Sequence, residues 1–244
     1  MGMSVLKNYL KNVDILLIGG EIIDVYHHNN HSNMGANLLV LVKLSNTDYR
    51  IKYLSFNSDT ELQNIYPEVS NINLSDIASS LGSGGGCGTT ITSATMNFMN
   101  DRIIFTSNNP GDKNCIIVMP TTGSDIVNMA SLILEEPAIW GPINSISLDQ
   151  YNPFISSYNY SDFYYVTNSS ITYLSVTPDG VVEPNRYRLI GSFGATIPSS
   201  RKSKILVGQS YYLTIKDNKL LMLLKDENIR NATGYAPITL DENP

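Results

Sequence analysis

Charge is what this sequence has least of. Only 16% of its 244 residues are Asp, Glu, Lys or Arg, against about 25% in an ordinary soluble domain. The 22 acids outnumber the 16 bases and leave a formal charge of −6. Non-specific nucleic-acid binding is driven by neutralising phosphates with Lys and Arg, so a chain this poor in cations is not expected to bind that way. The basic cluster Arg201-Lys202-Ser203-Lys204 reads as solvated loop charge.

Long apolar runs are scarce as well. Ile15–Ile18 and Leu38–Val42 fall far below the ~20 residues a spanning helix needs, so no membrane span is expected. Lys7, Lys11 and Asp14 interrupt any signal-like apolar core, so a secretory signal is expected to be absent or already removed, and Leu6 occupies the place where myristoylation wants Ser or Thr. Cysteine is limited to Cys87 and Cys115. Two cysteines permit at most one internal disulfide, too few for a disulfide scaffold or a Cys-based zinc site, and they leave the redox compartment open.

Catalytic signatures are missing too. The Gly-rich run Gly82-Ser-Gly-Gly-Gly-Cys-Gly88 lacks the Lys of a phosphate-cradling loop and leads into a strand-like segment; Cys87 also stands where the dinucleotide fingerprint needs Gly. No nucleophile elbow occurs. The adjacent carboxylates Glu135-Glu136 and Asp226-Glu227 point apart on a helix or a strand. The sequence therefore reads as a non-enzyme without a cofactor.

What fills the surface instead is Asn, Ser and Thr, 26, 27 and 16 of them. These residues favour turns, caps and strand faces over helix interiors. Chance accounts for five Asn-X-Ser/Thr sequons in such a chain, so those at Asn30, Asn73, Asn159, Asn168 and Asn231 carry no weight. β-Branched and aromatic runs bounded by turn residues predict strands at 15–18, 21–26, 36–43, 49–56, 90–99, 102–107, 115–119, 145–148, 162–167, 171–176, 186–190, 204–207, 211–216 and 219–225. Helical spacing predicts an N-terminal helix over Val5–Val13, a short one over Ser75–Leu81 capped by Ser75 or Asn73, and a third over Asp125–Glu136 with Ile126, Met129 and Ile133 on one face.

The fold expected is mainly β: antiparallel sandwich- or barrel-like meanders with two or three short helices. Four hairpins, near 36–56, 102–119, 162–176 and 210–225, recur at separations of about 65, 60 and 48 residues. Propeller blades repeat at roughly 40–50 residues, which keeps a small β-propeller as the alternative. The chain divides into an N-terminal α+β part (1–81), a flexible Gly-rich loop (82–89) and a β-rich part (90–244), unless 1–244 is one continuous domain.

Candidate functional residues are few. Tyr151, Phe154, Tyr158, Tyr160 and Tyr164, with Trp140 nearby, belong to an aromatic concentration interleaved with Asn and Ser, the chemistry of adaptable binding surfaces. Gly84, Gly85 and Gly86 make a candidate assembly loop. His27 and His31 are weak metal candidates in an Asn-rich segment read as a loop. The function expected is that of a structural subunit of a large oligomeric assembly. A virion tail, neck or capsid-associated protein fits, with copies of itself or other structural proteins as partners and a virion or extracellular particle, alternatively the cytoplasm, as its place. The alternative is an adhesin or receptor-binding module that recognises glycan or protein through the Tyr/Trp surface.

Overall fold

A computed structural model describes residues 20–30, 35–56, 62–84, 86–109, 113–137, 141–149, 161–168, 170–177, 182–192, 205–208, 211–216, 219–224 and 238–239. These form four successive four-stranded antiparallel sheets, each a meander in chain order. Sheet 1 contains β1 (Glu21–Asn30), β2 (Gly35–Ser45), β3 (Asp48–Phe56) and β4 (Leu62–Ile65). Two short helices, α1 (Pro67–Ser70) and α2 (Leu74–Ser80), lead to sheet 2, which has β5 (Thr90–Met96), β6 (Arg102–Asn109), β7 (Lys113–Pro120) and β8 (Ser131–Pro137). Sheet 3 follows with β9 (Ser145–Leu148), β10 (Ser161–Val166), β11 (Ser170–Val176) and β12 (Val182–Ser192). Sheet 4 has β13 (Ile205–Val207), β14 (Tyr211–Lys216), β15 (Lys219–Leu224) and β16 (Ile238–Thr239).

The mainly β, antiparallel character expected from composition is what the chain adopts. The four hairpins of the sequence are β2–β3, β6–β7, β10–β11 and β14–β15, the middle pair of each sheet. Neighbouring sheets meet chiefly through their first strands: β1 lies against β5, β5 against β9 and β9 against β13, with no comparable contact between β13 and β1 among the described residues. Consecutive four-stranded meanders related in this way have the blade order of a propeller. The antiparallel meanders are those of the sandwich-like reading.

Alternation decides which side of a strand is buried inward. In sheet 1 the register aligns Tyr26 with Leu39 and Leu39 with Tyr53, and Asp24 with Leu41 and Leu41 with Ile51. Apart from Asp24, these belong to one apolar core that runs on through Phe105 and Ile117 of sheet 2 to Phe163 and Leu174 of sheet 3. That core draws on residues from both sides of the 82–89 segment. β7 is buried along its whole length, as a central strand covered on both faces must be. Tyr53 stacks on Tyr66 with ring centroids 4.2 Å apart, and burial pushes the Tyr53 phenol well above the usual tyrosine range.

Helix α2 matches the expectation within one residue at each end, and its cap is Asn73. The Asn73 Oδ1 accepts from the Ser75 N–H (3.0 Å) and the Tyr49 N–H (3.2 Å), while its Nδ2 donates to the Thr47 carbonyl (3.0 Å). One side chain thus caps the helix and pins it to the β2–β3 turn.

The structure corrects two local expectations. The helix expected over Asp125–Glu136 does not form: 124–129 is turn, and Ser131–Pro137 is a strand that pairs antiparallel with β7, with a bulge at Ile133 between the Ile116–Leu134 and Ile117–Leu132 pairs. A three-residue apolar run fits either period, and the fully buried β7 beside it supplies the ladder that decides. His27, His28, Asn29 and Asn30 also continue β1 instead of forming a loop, paired with Leu38, Asn37, Ala36 and Gly35. The expected N-terminal helix and the 15–18 strand lie outside the described residues.

Candidate functional site

The first strands carry a polar seam. Asp24 and Ser93 are buried at 6% and 0% exposure. The Ser93 hydroxyl donates to Asp24 Oδ2 at 2.5 Å and accepts from the Ile146 N–H at 3.1 Å. Asp24 Oδ1 accepts from the Val25 N–H. One hydroxyl therefore joins β1, β5 and β9. The Ser145 hydroxyl extends the series by accepting from the Ile205 N–H of β13 at 3.4 Å. A β-bulge falls beside Asp24 in β1 and another beside Ser93 in β5, and bulges re-aim side chains in this way. The seam's carboxylate and hydroxyl bond across sheets.

A second polar cluster holds the Gly-rich segment. Glu135 of β8 accepts from the Ser83 N–H (2.9 Å) and Ser83 hydroxyl (2.7 Å), and pairs with Lys113 at 3.0 Å. The Lys113 ammonium also donates to the Ser83 carbonyl. Four residues on, Cys87 is bridged to Cys115 of β7, and its N–H donates to the carbonyls of Ala78 and Leu81. A segment expected to be slack is fastened at both ends of its run. Glycine is required for this: a Cβ on Gly86 (φ 80°) would overlap the Ser79 carbonyl, and one on Gly88 would overlap the Asn108 carbonyl. Gly84 is exposed and Gly86 buried, while Gly85 lies outside the described residues. The bridge also leaves no Cys87 thiol for nucleophilic chemistry.

The Ser83 N–H and hydroxyl, followed by Lys113, hold the Glu135 carboxyl at about 2, down from 4.5. Lowering a folded-state pKa stabilises the clasp fully above the ordinary carboxylate range, and the contribution is lost as pH falls from about 4.5 towards 2. The Ser83 amide resonance is therefore expected to titrate with a midpoint near 2. A midpoint near 4.5 would mean that the clasp does not form in solution.

Most of the aromatic candidates, Trp140, Tyr151, Phe154, Tyr158 and Tyr160, lie outside the described residues, as does His31. Tyr164 is described, and the structure corrects its assignment. It is 3% exposed and packs against Tyr173 with centroids 5.4 Å apart, so it presents no surface to a partner. Phe163, Tyr165 and Tyr173 are equally buried; the Tyr165 hydroxyl donates to Glu136 and the Tyr173 hydroxyl to buried Asp162. Strand β10 is covered on both faces, which places both alternating sets of its aromatics inside. His27 is exposed on β1. Among the described residues no group of three His, Cys, Asp or Glu could hold a metal, and no helix is long and apolar enough to cross a membrane.

Sequence reasoning missed the apolar side chains that remain at the surface. Leu62 and Ile65 are exposed on β4, which bonds to β3 on one side and, among the described residues, to no strand on the other. Ile22 and Val25 of β1 are 50% and 49% exposed, and Leu206 of β13 is 63% exposed with Tyr211 of β14 at 40%. Strand alternation held part of the signal: Val25 stands between buried Asp24 and Tyr26, and Leu206 follows buried Ile205, so an apolar residue alternates with an inward-facing one there.

No protein-family model matches the chain, and no curated protein matches it by sequence. Solved structures are similar in fold. A mutant of the Synechocystis apocarotenoid oxygenase aligns with a TM-score of 0.54 at 10% identity, covering 95% of this chain and 52% of that one. The fission yeast SREBP–SCAP binding domains align with a TM-score of 0.46 at 11% identity over 92% of this chain and 50% of that one. A GH43 glycoside hydrolase aligns with a TM-score of 0.43 at 12% identity over 88% and 43%. The chain spans about half the length of these structures, and at 10% identity the likeness to the apocarotenoid oxygenase is one of fold.

Proposed function

We propose that this chain is a structural subunit of a large oligomeric assembly, a virion or comparable extracellular particle, acting through protein–protein contacts. One observation carries the reading: apolar side chains stay exposed on strands that, among the described residues, have no neighbour on one side, at Leu62 and Ile65, at Ile22 and Val25, and at Leu206, with Tyr211 beside it. Unprotected edges and apolar sheet faces are surfaces that natural proteins cover or charge unless they are used. The polar chemistry, by contrast, is consumed internally, in the Asp24–Ser93 seam, the Glu135 clasp and the Asp162 contacts, and the reading assigns no catalysis. The Cys87–Cys115 bridge supports a location outside the reducing cytosol, since such bonds persist on secreted proteins and virion surfaces.

The test is the state of the protein in its own source. Sedimentation of native material is expected to recover the chain in a particle far heavier than its 26.9 kDa, in fixed ratio to the other components. Recovery as free, light protein throughout overturns the proposal.

A further inference from the structure

Among the described residues the two ends of the sheet series are not closed against each other, and both ends present the same element. Inside the chain, each sheet meets the next chiefly through its first strand, three times over: β1–β5, β5–β9 and β9–β13. At one end, Val25 alternates with Asp24 and Tyr26, which are buried toward sheet 2, so Val25 faces away from the series. Ile22 lies on that outer side too; the exposed part of this side is β1 itself, since the β2 partners of Ile22 and Val25, Val42 and Val40, are buried. At the other end, Ile205 and its partner Thr214 are buried. Leu206 faces the opposite way, level with Leu213 and, through Leu213, with Met222. Tyr211 shares that side of β14 with Leu213. The outer face of sheet 4 is thus an apolar row, open at Leu206 and half-buried at Leu213 and Met222.

We propose that the occupant of the sheet 4 face is a second copy of this chain, docked through the outer side of its own β1, so that two copies close head to tail into one ring of eight sheets. The proposal rests on the assembly reading above and gives that assembly its repeating unit. Two arguments favour a copy over a foreign partner. The contact required, the first strand of one sheet against the first strand of the next, is the contact the chain already makes internally, and exposed Ile22, Val25 and Leu206 stand on the two first strands that, among the described residues, have a neighbouring sheet on one side alone. Eight sheets also fall within the usual range of four to eight blades, and a head-to-tail contact that closes gives a finite particle in place of a fibre.

The experiment uses purified full-length protein and two variants, Val25→Glu and Leu206→Glu, with circular dichroism and melting curves confirming that each is folded. By light scattering the wild type is expected at twice 26.9 kDa. Each variant alone has one blocked face per contact and is expected as a monomer, its self-association weakened roughly 100-fold or more. Mixed in equal amounts, the two variants retain one intact pair of faces and are expected to form an open two-copy complex. A like-with-like contact would leave one variant dimeric on its own, and that result overturns the proposal. So does a wild type that stays monomeric at every concentration. Should a variant not fold, Ile22→Glu or Leu213→Glu replaces it on the same face. A recombinant monomer beside native protein found in a particle removes the ring and leaves the assembly; a recombinant ring beside light native protein removes the large assembly and leaves the ring.

Discussion

Replacing Cys115 with Ala is expected to lower stability by about 3–4 kcal/mol, the chain-entropy value for a closed loop of this size. The bridge joins residues 28 apart and closes a loop that contains β5 and β6. Both sulfurs belong to the main core, Cys87 at 3% and Cys115 at 0% exposure, so losing the bond leaves two small apolar groups still packed. For a chain of this length each kcal/mol moves the melting temperature by about 2–4 °C, which sets the expected fall at roughly 7–15 °C. Reduction with dithiothreitol should lower the wild type by a similar amount and leave Cys115→Ala unchanged. Two free thiols titrated in the unreduced protein would refute the assignment. The clasp around Ser83 gives a second readout. Cys87 holds the far end of the Gly-rich segment, so the variant should also shift the Ser83 amide resonance.

The sequence displayed the strands well and their partnerships poorly. Most strands forecast from β-branched and aromatic runs match within a few residues, because a half-buried or buried strand must carry such runs wherever it pairs. The strands that escaped are β4, β8 and β16, the fourth of three of the sheets. A fourth strand bonds on one side alone, so it needs little apolar content: β4 is Leu-Gln-Asn-Ile with every residue exposed, and β8 ends in Glu135-Glu136-Pro137. The four-fold recurrence was visible as four hairpins, but its period was blurred by connections of different length, and without the fourth strands the unit could not be counted.

Composition was read for the surface and applies equally to the interior. Asn73, Asn97, Asn114 and Asn144 each act as a staple. Asn97 accepts from the Asp101 and Arg102 amides in the β5–β6 turn, Asn114 binds both Gly141 and Ile143, and Asn144 donates to Asn168. An amide can donate and accept at once, which suits a chain whose sheets are joined by irregular connections. Nothing in the spacing of these residues marks them, since each acts on backbone brought near by the fold. The same applies to the site: exposure at Val25 and Leu206 depends on which neighbouring sheet is present, and a single strand cannot reveal that.

The seam offers the sharpest test of how the sheets are held together. Ser93→Ala removes a hydroxyl that serves two buried partners, Asp24 Oδ2 and the Ile146 N–H. A hydrogen bond to a charged group contributes about 1.5–3 kcal/mol, and a buried donor left unsatisfied costs about 1–3 kcal/mol. The expected loss is therefore about 3–5 kcal/mol, a large share of the 5–15 kcal/mol by which domains are usually stable. Ser147→Ala is the matched control: it changes the same atoms on β9, where the hydroxyl reaches only the adjacent Leu148 carbonyl, and should stay within about 0.5 kcal/mol. Asp24→Ala combined with Ser93→Ala should cost less than the two separate losses together, with a coupling of about 1–3 kcal/mol. Amide exchange at Ile146 should accelerate in Ser93→Ala more than at Leu148, because the first amide loses its acceptor and the second does not. A Ser93→Ala protein within 1 kcal/mol of wild type would show that apolar packing between first strands, without the seam, holds the sheets in series. The outer faces of β1 and β13 would then need apolar area alone to recruit a neighbour.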